Sequence, residues 1–65
     1  MTLHVNGEVI KTYAKTLEEL IKELQIEKQI MAAAVNMNII KRETWKTYEL
    51  KENDDVELLR FVGGG

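Results

Sequence analysis

The spacing of hydrophobic residues changes twice along this chain of 65 residues. Near the start, Leu3 and Val5 alternate with polar residues, then Asn6-Gly7 intervenes, and a stretch rich in β-branched and aromatic residues follows. Asn and Gly both tolerate the positive φ angles that a type I′ turn requires. The pattern therefore predicts a β-hairpin across residues 1–13.

The period then becomes that of a helix. Thr16 and Glu19 have the spacing of a capping box, in which each side chain bonds to a free backbone N–H of the first turn. Four apolar residues share one helical face: Leu17, Leu20, Ile21 and Leu24. We predict an amphipathic helix that begins after Thr16 and ends near Gln25.

The second half returns to short strand-like segments separated by polar turns. We predict a strand over residues 32–40 with a turn at 36–38, followed by an irregular segment or short helical turn at 41–45. After it we predict a short strand at 47–50, a turn at 52–55 and a last strand over 56–62. The chain is therefore of the α+β class, with one helix across one face of a mixed sheet of four to five strands. If the last strand lies beside the first, the two are parallel and central, which is the β-grasp (ubiquitin-like) arrangement.

Strand alternation divides the last strand into two sets of side chains. If Val56 and Leu58 pack under the helix, Leu59 and Phe61 face outward and could form a docking patch for a partner. The alternative is that Phe61 folds back onto the domain. Arg60 could pair with an acidic group of the same partner, although such charges are usually only solvated.

The remaining large side chains are more simply explained by packing. Trp45 is predicted to be an anchor of the small core, and Tyr13 and Tyr48 are interpreted in the same way. Met31 is predicted to lie in the core, and Met37 is predicted to be exposed at a hairpin tip.

Composition narrows the classes of function. Hydrophobic residues make up 45% and charged residues 31% of the chain, as in globular domains. The net charge of −2 leaves no basic surplus for nucleic acid. Apolar runs are far shorter than the ~20 residues of a membrane span. We see no signal peptide pattern and expect a cytoplasmic protein without nucleic acid or membrane partners. With no cysteine, the fold must rest on packing alone.

Candidate chemistry is sparse. His4 is the single histidine and is expected to be a surface residue, and the acidic residues 52–55 do not have the spacing of a calcium loop. We find no nucleophile–base set, paired carboxylates or metal-ligand cluster, so we expect no enzyme activity, no bound cofactor and no metal. What remains is the glycine run 63–65, which offers an unhindered carboxylate on a tether. We therefore divide the chain into a β-grasp domain, 1–62, and a flexible tail, 63–65.

Several segments together resemble the ThiS-like sulfur carriers of thiamin biosynthesis, which are ubiquitin-like proteins. The resemblance covers the whole chain. Its matching segments are the Asn6-Gly7 hairpin, Thr-Leu-x-Glu-Leu at 16–20, Ala-Val-Asn at 34–36, Ile-x-x-Arg-x-x-Trp at 39–45, the Asn-Asp-Asp-Val turn at 53–56 and the terminal glycines.

The resemblance implies a carrier cycle. A ubiquitin-activating-type adenylating enzyme consumes ATP and activates the carboxylate of Gly65, and a sulfur donor such as a cysteine desulfurase converts it to a thiocarboxylate. The thiocarboxylate then donates sulfur to thiazole synthase. Gly63, Gly64, Phe61, Leu59 and Arg60 would contact the partner. Related alternatives are a carrier for molybdopterin or for cysteine or homocysteine synthesis, and a ubiquitin-like protein modifier.

One departure concerns the end of the chain. The family pattern ends in Gly-Gly, and here Gly63 precedes that pair. Either the tail is longer in glycine and Gly65 is reactive, or the natural chain continues past Gly65, or Gly65 is an added residue. We favour Gly65 as the reactive end.

Overall fold

The computed structural model describes residues 1–60 and contains five strands, one α-helix and one 3-10 turn in that range. In chain order these are β1 (Thr2–Val5), β2 (Glu8–Lys11), α1 (Leu17–Glu23), β3 (Ile30–Val35), β4 (Asn38–Ile39), a 3-10 turn (Arg42–Thr44) and β5 (Asp55–Arg60).

All five strands belong to one mixed sheet in the order β2-β1-β5-β3-β4. The last strand is central, parallel to β1 and antiparallel to β3. The predicted β-grasp architecture is thus confirmed, and β5 ends at Arg60 within the described residues. The prediction that this strand continues through Phe61 and Val62 lies outside the described residues, as does the predicted tail.

Two hairpins flank β5, and both turn on residues with positive φ. In the first, Asn6 has φ 50° and Gly7 has φ 84°, as the Asn-Gly signal predicted. In the second, Asn36 has φ 51° and Met37 has φ 71°. The second turn is two residues long, not three as predicted, because Asn38 already pairs with Val35.

The helix α1 begins and ends as the sequence pattern indicates. The Oγ1 of Thr16 accepts a hydrogen bond from the Glu19 N–H at 3.2 Å, and Glu19 Oε1 accepts one from the Lys15 N–H at 2.7 Å. At the other end, Gln25 has φ 60°, and the Ile26 N–H bonds to the Ile21 carbonyl at 3.4 Å. This is a Schellman-type end built on a residue other than glycine.

The core fills the space between α1 and the face of the sheet that it covers, which we call the inner face. Its most buried large side chains are Leu3, Leu17, Leu20, Ile21, Val35 and Val56. Trp45 is 5% exposed, as predicted, and its Nε1 donates to the Ile40 carbonyl at 2.8 Å. The Arg42 guanidinium lies 4.6 Å from the Trp45 ring centroid and donates to the Ile30 carbonyl at 2.7 Å. Through Arg42, the segment from Ile39 to Trp45 is therefore attached to β3.

Two predictions about large side chains were wrong. Tyr13 is 97% exposed, because the neighbouring Thr12 and Ala14 occupy the buried positions where the chain leaves β2. Met31 is 57% exposed, because β3 contains a bulge between Ile30 and Ala32. A bulge inserts one unpaired residue and reverses which face its neighbours occupy. Met37, in contrast, is exposed as predicted, and Tyr48 packs partly buried against the core.

Residues 47–50 do not form the predicted strand. Thr47 and Tyr48 N–H groups bond back to the Thr44 carbonyl, and the Leu50 N–H bonds to the Lys15 carbonyl at 2.8 Å. These backbone N–H groups are thus bonded to the local turn and to the residue before the cap of α1. Strand pairing in this segment is limited to one isolated bridge between Thr16 and Glu49. The third strand also begins earlier than predicted, at Ile30.

Candidate functional site at the end of the central strand

The central strand carries the chain toward the terminal glycines. Along β5, Val56 and Leu58 are buried on the inner face, whereas Leu59 is 60% exposed on the opposite, outer face. The predicted alternation is therefore confirmed for Val56, Leu58 and Leu59, and Arg60 is exposed. Four of the predicted site residues lie outside the described residues: Phe61, Gly63, Gly64 and Gly65.

Leu59 borders an apolar trough of about 400 Å³ on the outer face. Ala32 lies opposite Leu59, and Ala34 lies opposite both Glu57 and Ile39, so short side chains form the floor between two large ones. Ile39 is 74% exposed on the far wall. We call the set Ala32, Ala34, Ile39 and Leu59 the outer trough.

The other half of the outer face is more polar. His4 lies opposite Val9 in β2 and beside Asp55 in β5, and Glu57 follows on the same face. Within residues 1–60 no three acidic, histidine or cysteine side chains come together to hold a metal ion.

Asn6 holds β5 on the side of β1. Its Oδ1 accepts a hydrogen bond from the Leu58 N–H at 2.8 Å, and its Nδ2 donates to the Leu58 carbonyl at 3.3 Å. The sequence predicted a turn here but gave no sign of this contact, because the two residues are separated by 52 positions.

A second cleft, of about 210 Å³, opens on the inner face at the same end of the sheet. Its floor includes Ile10, Leu24 and Ile26, and Arg60 lies on its rim. It forms because α1 has only seven residues and leaves this end of the sheet to the following loop. The other arginine of the described chain, Arg42, bonds to the Ile30 carbonyl within the fold.

Comparison with known proteins gives a consistent assignment. The model of the ThiS family matches residues 3–65. This chain belongs to the ThiS family. The sulfur carrier protein ThiS of Bacillus subtilis is 34% identical over 65 residues, which cover 97% of this chain and 98% of that protein. The crystal structure of the thiamine biosynthesis protein ThiS from Geobacter metallireducens matches with a TM-score of 0.81 and 28% identity, over 100% of both chains.

Larger relatives contain a region similar to this ThiS-family chain. A thiazole synthase of Magnetococcus marinus is 35% identical over 66 residues, covering 100% of this chain but 20% of that protein. A thiazole synthase of Paramagnetospirillum magneticum is 30% identical with the same coverage. The chain thus spans 20% of the length of these two synthases. Among residues 1–60, no helix has the length and apolar character needed to cross a bilayer.

Proposed function

We propose that this ThiS-family chain is a sulfur carrier for thiazole formation in thiamin biosynthesis, and that it acts as a protein-borne co-substrate, not as a catalyst. The observation that carries the proposal is that the family match runs from residue 3 through the glycines to residue 65. The reactive group is the α-carboxylate of Gly65.

The proposed chemistry takes place on partner enzymes. A carboxylate oxygen of Gly65 attacks the α-phosphorus of ATP, and pyrophosphate leaves, so that the acyl carbon gains AMP as a good leaving group. The terminal sulfur of a donor persulfide, such as that of a cysteine desulfurase, then attacks this carbon and displaces AMP. A thiol cleaves the resulting S–S bond and leaves the thiocarboxylate on Gly65. The carrier supplies only the acyl group, so it needs no base or metal of its own.

The outer trough is the surface that we propose docks on the adenylating enzyme. Leu59 and Ile39 are 60% and 74% exposed. Together with Ala32 and Ala34 they form a concave apolar surface across β5, β3 and β4, and β5 is the strand that precedes the reactive end. Exposed apolar patches of this kind mark protein contact sites. We propose that Arg60, which is exposed at the end of the described chain, pairs with an acidic group of the same enzyme. Phe61 would extend the contact.

Thiazole synthase is the proposed acceptor of the sulfur. Two proteins with that name each contain a region that matches the whole of this chain. A carrier and an acceptor that belong to one polypeptide must be able to meet. We therefore infer that this chain meets a separate thiazole synthase in the same way.

The test is the mass of the carrier after incubation with an adenylating enzyme, ATP, cysteine and a cysteine desulfurase. Replacing one carboxylate oxygen by sulfur adds about 16 Da. Deleting Gly65, or adding one alanine after it, should abolish the gain, whereas Lys22→Ala, at an exposed position of α1, should retain it. A wild-type chain that never gains this mass would refute the proposal. A conjugate with a second protein that resists reductant would instead indicate a protein modifier.

A further inference from the structure

Both hairpin turns contribute an asparagine side chain to the central strand, but at opposite ends of it. Asn6 and Asn36 are the first residues of their turns, with φ angles of 50° and 51°. Asn36 Oδ1 accepts from the Asp55 N–H at 3.0 Å, and its Nδ2 donates to Asp54 Oδ1 at 3.0 Å. It therefore holds the beginning of β5. Asn6 bonds to Leu58 and so holds the end of β5 nearer the glycines.

The Asn6 amide continues the parallel ladder after its backbone has run out. The two preceding rungs are the bonds from the His4 N–H to the Asp54 carbonyl and from the Asn6 N–H to the Val56 carbonyl, both 2.9 Å long. At Gly7 the chain turns away into β2, so β1 has no further peptide group to offer β5. The side-chain amide replaces that peptide group, since it presents one donor and one acceptor to the same residue, Leu58.

Within the described residues, Leu58 is the last residue of β5 with a partner on both sides: Ala33 of β3 lies opposite it on one side, and the Asn6 side chain bonds to it on the other. Beyond it, Leu59 and Arg60 pair only with β3, through Ala32 and Ile30, and the β3 partner strand is itself bulged there. Loss of the Asn6 bonds would leave the end of β5 supported by an irregular ladder on one side alone. Strand ends with few backbone bonds open locally at low free energy.

We propose that Asn6 is a positioning residue for the carrier reaction. It fixes the end of β5 at Leu58, next to Leu59 of the outer trough, and so holds the last described residues of the strand in the placement that one partner surface must meet. The inference rests on the proposed function. Binding to a pre-positioned end costs less entropy than binding to an end that must be ordered on contact. Asn6 therefore acts on recognition and not on the chemical step.

The test compares Asn6→Gly with Asn36→Gly. Glycine accepts the positive φ of both positions, so both turns keep their backbone. Asn6→Gly loses the two bonds to Leu58, and Asn36→Gly loses the bonds to Asp54 and Asp55. The measured quantities are KM and kcat for adenylation, followed by pyrophosphate release and normalised to the folded fraction from circular dichroism. We expect Asn6→Gly to raise KM about threefold to tenfold, the equivalent of one net hydrogen bond, with kcat unchanged. Asn36→Gly should leave KM within about twofold of wild type.

Two further measurements distinguish positioning from general loosening. Asn6→Asp keeps the acceptor for the Leu58 N–H and loses the donor, so its KM should fall between those of wild type and Asn6→Gly. Amide hydrogen exchange should accelerate at Leu58 in Asn6→Gly and at Asp55 in Asn36→Gly. Equal KM values for the two glycine variants, or a fall in kcat alone, would overturn the proposal. A wild-type carrier that is not adenylated at all would instead overturn the proposed function.

Discussion

Leu59 offers a direct test of the outer trough. The substitution Leu59→Ser removes the apolar side chain while leaving the strand and its pairing with Ala32 in place. Fully burying a leucine side chain is worth about 1.5–3 kcal/mol. Because 60% of Leu59 is exposed in the free chain, that share of its surface remains available for burial by a partner. Scaling gives about 1–2 kcal/mol of binding free energy, or a roughly 5- to 20-fold rise in KM.

The assay is the initial rate of pyrophosphate release by the adenylating enzyme at varied carrier concentration. The matched control is Val9→Ser. Val9 is 63% exposed on the same outer face, but it lies in β2, and β1 separates it from Leu59 and the rest of the trough. Both substitutions are at exposed positions, so each should change the free energy of unfolding by no more than about 0.5 kcal/mol. An unchanged KM for Leu59→Ser, or an equal rise for Val9→Ser, would refute the assignment of the trough as the docking surface.

Three further predictions concern stability and are checked by urea unfolding followed by circular dichroism. Thr16→Ala removes the acceptor for the Glu19 N–H and should lower the free energy of unfolding by about 1 kcal/mol without changing the denaturant slope. Trp45→Phe leaves the Ile40 carbonyl without its 2.8 Å donor and should cost about 1–3 kcal/mol. Leu20→Ala opens a cavity at a fully buried position and should lower the free energy of unfolding by about 2–5 kcal/mol, enough to leave most of a domain this small unfolded. Its control, Lys22→Ala at an exposed position, should change the free energy of unfolding little.

The predictable parts of the fold are those set by neighbours in sequence. The Asn6-Gly7 turn requires positive φ at two adjacent residues, and the Thr16 cap requires an acceptor three residues before a free N–H, so both follow from local spacing. The exposure of Leu59 followed from period-two alternation along one strand. These local rules predict the first hairpin, the helix and the alternation of the last strand, whereas the central position of that strand followed only on the condition that it lies beside the first.

The errors arose where distant contacts override the local pattern. Met31 is apolar, which is typical of a core residue, but the bulge in β3 turns its side chain outward. A bulge depends on the pairing with the partner strand, which the local sequence pattern does not contain. Residues 47–50 have the composition of a strand, but their N–H groups are used by Thr44 and Lys15. The outer trough was half predicted: Leu59 was expected to be exposed, but Ile39 joins it only through the register of β3 with its two neighbours.

The parallel pairing of β1 with β5 also has a mechanical consequence. Because β1 and β5 are adjacent and parallel, Thr2 at the start of β1 and Arg60 at the end of β5 lie at opposite ends of the sheet along the strand axis. A partner that draws the end of the chain into a narrow passage pulls along the axis of β5, so the load falls on the hydrogen bonds to β1 and β3 together, in shear. Hydrogen bonds loaded in shear must break together. When an edge strand is instead pulled away perpendicular to its axis, its hydrogen bonds break one after another. The central, parallel position of β5 thus lets the domain withstand tension that is applied along this strand.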